Sequence, residues 1–371
     1  MSPDYAALRV IGWPHEGPPP PGDWAGCMAA HPGALPARVV EQHRTGYVVA
    51  DSADAGVTVE SPPDWQRPSG YRKGTGMAVD RAAVGDWVLV ASGVIVALLP
   101  RRTTIKRAAA GEHYKQQLIA ANVDTVLVVC GLDNDFNPRR IERYLLLVHG
   151  GGAKAVVVLT KADRDDADID AALAALSEVA GQGVPTLAVD ARDPASVAVL
   201  LPWLQPGMTA VLVGSSGAGK STLTNTLLGQ ERMKTNTVRV SDARGRHTTT
   251  HRALIPLPSG ACLIDTPGMR ELKPTGEEDV GDGFADVEAL AAECRFRDCL
   301  HEREPGCAVR TAIDDGRLEP RRFAHYLKLR EEVAGAAERL AQRLAQKAGQ
   351  NSGGRPSPKP PGRGGSRRPS R

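Results

Sequence analysis

Five apolar runs leave little freedom in how the middle of this chain can fold: "VDTVLVVC" (123–130), "AKAVVVLT" (153–160), "VPTLAVD" (184–190), "MTAVLVG" (208–214) and "ACLIDTPG" (261–268). Each has the length of a strand, and helix-like stretches such as "PRRIERYLLLVHGG" and "IDAALAALSEVAGQG" lie between several of them. Strands alternating with helices in this way predict a mainly parallel sheet covered on both faces. Such sheets bind ligands at the C-terminal ends of their strands. The residues that close these runs are therefore the first place to look for chemistry.

The fourth run opens into Gly214-Ser215-Ser216-Gly217-Ala218-Gly219-Lys220-Ser221, followed by Thr222 and the helical "LTNTLLG". Phosphate binding needs backbone N–H groups free of obstructing side chains, a cation for the β- and γ-phosphates and a hydroxyl for magnesium, and this strand–loop–helix segment supplies all three. The second run ends in Thr160-Lys161-Ala162-Asp163. An Asp carboxylate accepts from both guanine N–H groups and a Lys stem packs along the purine face; adenine lacks that donor pair, so the base expected is guanine. The fifth run ends in Asp265-Thr266-Pro267-Gly268, where the Asp is placed to hold magnesium through water and the Gly N–H to approach the γ-phosphate. Between it and the phosphate loop, "GRHTTTHR" (245–252) offers Thr248 and Thr249 for the magnesium shell. Ordinary GTPases place the phosphate loop before the base motif. The reverse order here predicts a circular permutation, the same sheet opened at a different point.

The remaining text divides around this core. Residues 1–36 are rich in Pro and Gly, lack sustained periodicity and read as a flexible leader. From 37 to 107 short β-type runs punctuated by Gly and Pro predict a small barrel, of oligonucleotide-binding (OB) or SH3-like type. Its Arg38, Arg44, Arg67, Arg72, Lys73, Arg101, Arg102, Lys106 and Arg107, interspersed with Tyr47, Trp65, Tyr71 and Trp87, are candidates for phosphate contact and base stacking. After an acidic stretch, Cys294, Cys299, His301 and Cys307 offer three thiolates and one imidazole, a closed tetrahedral zinc shell with no open position, hence one structural zinc per chain. Phe323, Tyr326, Leu327, Val333, Ala337, Leu340 and Leu344 then recur at helical spacing. The net charge is only +3, but Lys347, Arg355, Lys359, Arg363, Arg367, Arg368 and Arg371 end the chain with no acid among them, a basic tail expected to be disordered. No run of about 18 apolar residues and no basic-then-apolar leader is present. A soluble cytoplasmic protein without membrane association is expected.

The order of TKAD, phosphate loop, GRHTTT and DTPG, with a barrel before and a Cys/His cluster after, resembles the ribosome small subunit-dependent GTPase A (RsgA/YjeQ) family over residues 37 to 345. The resemblance implies a multidomain α/β protein: an OB-type barrel (37–107), a permuted GTPase (108–275) and a zinc-binding helical domain (276–348), followed here by the tail 349–371. It further implies hydrolysis of GTP to GDP with magnesium, zinc at the four Cys/His positions, and action on the small ribosomal subunit and its rRNA in late maturation. A monomer is expected. Two departures stand out: Thr160 occupies a position more often Asn, and "VDAR" replaces a clear SA segment, leaving Ala191 as the contact to the guanine carbonyl. Lys220 is expected to neutralise charge on the transferring group; Met269 stands where many GTPases place a water-orienting Gln, so His247, beside the threonines, with His251 as the alternative, is expected to orient water. A metallochaperone-type GTPase and a nucleotide-switched RNA-binding module with negligible turnover are the competing readings.

Overall fold

The computed structural model describes residues 2–43, 46–53, 55–62, 65, 81–109, 112–177, 183–230, 253–265 and 284–352. The apolar runs form strands β8 (Thr125–Gly131), β9 (Lys154–Thr160), β10 (Thr186–Ala188), β11 (Thr209–Val213) and β13 (Cys262–Asp265), with β12 (Ala253–Pro256) beside the last. In space their order is β10-β9-β8-β11-β13-β12, all parallel but for β12. From β8 the chain steps outward through β9 to the edge at β10. It then crosses back to lay β11 on the other side of β8. Because the five strands run the same way, the residues that close β9, β11 and β13 lie at one end of the sheet. Helix α3 (Pro138–His149), capped by the Asn137 side chain, follows β8 and covers one face of the sheet. Its Ile141, Tyr144, Leu145 and Val148 pack into the sheet core.

Strands β1 (Leu35–Gln42), β2 (Tyr47–Ala50), β3 (Gly56–Val59), β4 (Trp87–Ala91) and β5 (Val94–Leu98) form a barrel in the cyclic order β1-β2-β3-β5-β4. A parallel bridge between Glu60 and Val94 closes it. Five short strands closed in this order are the OB-type architecture, which decides against the SH3-like alternative. The barrel is also continuous with the central sheet, since β1 pairs with β12 at Glu41 and Ala253. A hairpin of β6 (Thr104–Ala109) and β7 (Glu112–Ala121) lies between barrel and sheet in sequence and spans the boundary expected at residue 107.

The expected flexible leader is instead folded. Residues Tyr5–Val10 form α1, capped by the Asp4 carboxylate, and Asp23–Ala30 form α2. Between them Trp13 is fully buried, with its ring centroid 5.6 Å from Tyr5, 5.2 Å from Trp24 and 4.8 Å from Trp87. Lack of periodicity misled here because a few large aromatic rings, each worth several apolar contacts, anchor the segment. Arg38 secures it from below. Fully buried, its guanidinium donates to the carbonyls of Ile11 at 2.5 Å, Gly85 at 3.2 Å and Asn122 at 3.2 Å, one from each of three chain segments. Gly12, at φ +91°, leaves room for it, since a Cβ there would lie 1.9 Å from Nη1.

The same packing corrects the nucleic-acid candidates of the barrel. Arg38, Trp87 and Tyr47 are core residues, and Arg101 is spent on buried Asp86 at 2.8 Å. Arg44, Arg67, Tyr71, Arg72 and Lys73 lie outside the described residues, as does the tail beyond 352.

At the other end, α7 (Ala285–Ala292), α8 (Ala308–Asp314) and the long α9 (Pro320–Ser352) form a small helical unit. Phe323, Tyr326, Leu329 and Val333 of α9 fill its core together with Phe284, Val287 and Val309. From Phe323 to Val333 the expected periodicity is present, but Leu327 lies off the stripe, 36% exposed, and Leu329 takes its place. No described helix is long and apolar enough to cross a membrane.

Trp13→Ala is expected to destabilise the barrel by about 3–5 kcal/mol, the cost of deleting a buried large aromatic. Urea unfolding followed by circular dichroism measures it, and an unchanged midpoint would mean that the N-terminal segment contributes nothing to the fold.

Candidate functional site

The phosphate loop starts where β11 ends. Gly214, at φ +147°, lies so close to β8 that a Cβ would sit 2.1 Å from the Val129 carbonyl oxygen. Only glycine fits that position, and the neighbouring strand thereby fixes the height at which the loop leaves the sheet. Ser216 and Gly217 form the exposed crest, Ala218 turns inward and is buried, and α6 (Lys220–Leu228) begins at the left-handed Gly219. The N-terminus of this helix, the positive end of its dipole, meets the loop at Lys220, the arrangement that binds anions. The Lys220 ammonium now rests on the carbonyls of Gly214, at 2.8 Å, and Ser215. Ser221 and Thr222, in the first turn of α6, are half-buried.

The base motif abuts this loop. Thr160 is fully buried, and its hydroxyl donates to the Ala218 carbonyl at 2.6 Å. A single hydroxyl thus braces the phosphate loop against β9. Lys161 adopts a left-handed backbone, φ +62°, a conformation sparse among residues with side chains and concentrated at ligand sites. Its ammonium pairs with Asp133 at 2.6 Å. Burial acts to raise the Asp133 carboxyl, but hydrogen bonds from Lys161 and from the Asp135 N–H outweigh it and hold the group below its usual range. Ala162 donates its N–H to Val189 at 3.3 Å. Asp163 pairs with Arg192, whose side chain is largely exposed. Ala191 is buried, and its carbonyl accepts from Thr226 of α6 at 2.6 Å, tying the VDAR segment to the phosphate-loop helix.

Asp265 closes β13, two strands from β8 and adjacent to β11. Thr266, Pro267, Gly268, Met269, His247, Thr248, Thr249 and His251 lie outside the described residues.

One part of the site escaped sequence reasoning. The loop after β8, "GLDNDFN" (131–137), carries Asp133, which holds Lys161, and Asp135, whose carboxylate accepts from Ser215 Oγ at 2.5–2.6 Å. Arg140 of α3 pairs with the same Asp135 carboxylate at 2.6 Å. The signal was two acids at the C-terminal end of a strand predicted to be parallel and central, the place where ligands are met. Arg192 was likewise passed over, because its partner Asp163 is 29 residues away in sequence.

The Cys/His loop joins α7 to α8. Ligand atoms of Cys294, Cys299, His301 and Cys307 all lie within 4.8 Å of one another. Cys294 Sγ is 3.9 Å from Cys307 Sγ and 3.6 Å from His301 Nδ1, which is 3.4 Å from Cys307 Sγ. Tetrahedral coordination with metal–sulfur bonds of about 2.3 Å and metal–nitrogen bonds of about 2.0–2.1 Å requires edges of about 3.8 and 3.6 Å. Cys294, His301 and Cys307 match these edges, and with Cys299 within 4.8 Å of the others the four residues could hold a metal ion, with Nδ1 as the imidazole ligand. Phe323 packs edge-on against His301 at 5.7 Å and fixes the ring.

A phosphate loop on the central strand, a base motif two strands away, and a chain order in which the second precedes the first define a circularly permuted P-loop GTPase. Residues 98–275 match the RsgA GTPase family. The chain is 70% identical over 341 residues, 92% of each chain, to a protein of Xanthomonas axonopodis pv. citri named "Small ribosomal subunit biogenesis GTPase RsgA", and 68% identical to a Xanthomonas campestris pv. campestris protein of the same name. Similarity of this extent places the chain in the RsgA GTPase family. Two solved structures share the fold: YjeQ from Thermotoga maritima (TM-score 0.57, 23% identity, 81% of this chain and 98% of that one) and YloQ, described as a circularly permuted GTPase (TM-score 0.54, 24% identity, 82% and 96%).

Gly214→Ala forces strain of about 1–3 kcal/mol at a left-handed position in addition to the clash with Val129. GDP affinity, read by fluorescence of a labelled nucleotide, is expected to fall at least tenfold; an unchanged affinity would show that the loop height is not set by this contact.

Proposed function

We infer that this GTPase acts in biogenesis of the small ribosomal subunit, binding the subunit and its rRNA in the cytoplasm and hydrolysing GTP to GDP with stimulation by that partner. The observation that carries this reading is the 70% identity over 92% of both chains, which extends beyond the GTPase segment to the barrel and the Cys/His unit. In this reading Lys220 and the N–H groups of Gly214 to Thr222 hold the phosphates, while Ser221, Asp265, Thr248 and Thr249 hold magnesium, with the Gly268 N–H near the γ-phosphate. Asp163 reads the guanine edge once Arg192 is drawn aside, and Lys161, Thr160 and Ala162 shape the base pocket. His247, with His251 as the alternative, orients the attacking water, since Met269 has no group able to do so.

The metal is zinc, and structural. Three thiolates and one imidazole complete a soft tetrahedral shell with no position left for water, and His301 is buried. A cargo site of a metallochaperone would need an open or exchangeable position.

Purified metal-loaded protein is expected to hydrolyse GTP slowly alone, by analogy with the ~10⁻⁴ s⁻¹ of GTPases lacking their activator, and faster with small subunits at fixed salt. Lys220→Ala should abolish the stimulation. Stimulation by large subunits only, or by neither, would remove the assignment. Chelation should release one zinc per chain and open residues 284–340 to protease, because the binding energy of such a site, about 10–16 kcal/mol, is folding energy. Unchanged proteolysis after metal removal would mean that the helical unit folds without it.

A further inference from the structure

Helix α3 touches both the nucleotide site and the metal-binding unit, with different side chains. At its N-terminal end, Arg140 pairs with Asp135, and Asp135 accepts the hydroxyl of Ser215 in the phosphate loop. Two residues further on, the Glu142 carboxylate pairs through one oxygen with Arg322 and through the other with His325 at 2.6 Å, both on α9. Arg143 reaches Glu332 of α9 at 2.6 Å, and Leu146 is buried in the core of the metal unit rather than that of the sheet. The faces of α3 are thus divided between two domains.

Arg322 is the centre of the far contact. Its side chain is 4% exposed, lies over the Phe284 ring at 4.3 Å, and makes a second, two-pronged pair with Asp286 at 2.8 and 3.0 Å. The next residue, Phe323, packs on the metal ligand His301. A buried cation whose partners come from two domains cannot lose one of them cheaply. Any displacement of α3 must therefore carry the start of α9 with it or break this pairing.

The near end is placed to move. Lys220 rests on the carbonyls of Gly214 and Ser215, and a nucleotide's phosphates compete for that ammonium. The residue released is the one whose hydroxyl Asp135 holds. We propose that α3 is the coupling element between the phosphate loop and the metal-binding unit, with Asp135 and Glu142 as positioning residues at its two contacts. By reciprocity, whatever the metal unit grips would alter nucleotide affinity by the factor with which nucleotide alters that grip. The proposal rests on the guanine-nucleotide reading of the site.

Hydrogen–deuterium exchange on the full-length, metal-loaded protein tests it, with and without saturating GDP, in wild type, Glu142→Gln and Asp135→Asn. In wild type, GDP is expected to change exchange at residues 320–330 by about fivefold or more, the lower end of typical coupling between sites. Both variants, each measured at a GDP concentration saturating for that variant, should lose most of that response while retaining one metal ion per chain. No response in wild type, or an undiminished response in the variants, overturns the proposal. Should Glu142→Gln shed its metal, Asp135→Asn decides alone, since among the described residues the Asp135 carboxylate is hydrogen-bonded by Ser215, Gly131 and Arg140 and by none of the metal unit. GDP affinity measured on the same samples separates the two levels: absence of GDP binding in wild type sinks the nucleotide reading and this proposal with it, whereas binding without coupling sinks this proposal alone.

Discussion

The close approach of Gly214 to the Val129 carbonyl is the constraint on which the site depends. It sets the phosphate loop at a fixed height above the sheet, and everything that reads nucleotide is measured from that height. Thr160 reaches Ala218 only because the loop turns inward at the level of the end of β9. Ser215 meets Asp135 because the end of β8 lies alongside. Such contacts need parallel strands in fixed register, and they are indifferent to the order in which the chain visits them. A permuted chain can therefore build the same site, since the contacts hold strand ends to one another and the connections merely deliver the strands.

Permutation changes what is attached where. The barrel precedes β8 and joins the sheet by the pairing of β1 with β12, whereas the metal-binding unit follows the last strand and packs on α3. Two buried arginines secure the joints. Arg38 binds carbonyls of the N-terminal segment, the barrel and the turn before β8, while Arg322 binds carboxylates of α3 and of the residues opening the metal unit. They differ in kind. Arg38 is held by neutral carbonyls, which makes the barrel joint a packing joint; Arg322 is held by carboxylates on two helices, α3 and α7.

Much of this was legible in the sequence because it is governed by local rules. Strand runs, the glycines and Lys220 of the phosphate loop, and the spacing of Cys294, Cys299, His301 and Cys307 each express chemistry that works within a few residues. What was not legible depends on distant partners. Trp13 and Trp24 read as part of a Pro/Gly-rich leader, and only the position of Trp87 beside them turns them into core. Arg38 read as a basic surface residue, because nothing near it in sequence announces three waiting carbonyls. Asp133 and Asp135 read as loop acids until the register of β8 with β9 and β11 placed them against Lys161 and Ser215. Long-range pairing decides function at these positions, and single-sequence patterns carry no record of it.

The backbone pairing between Glu41 of β1 and Ala253 of β12 has a protective consequence. An open sheet offers unpaired N–H and C=O groups at both edges, a template for association with other chains. At one edge here the outermost strand, β10, is only three residues long and too short to serve as a template. At the other edge the barrel lies against β12. The domain is thus a lid on an adhesive edge as well as an appendage, and a GTPase cut free of it would expose the outer edge of the strand beside β13.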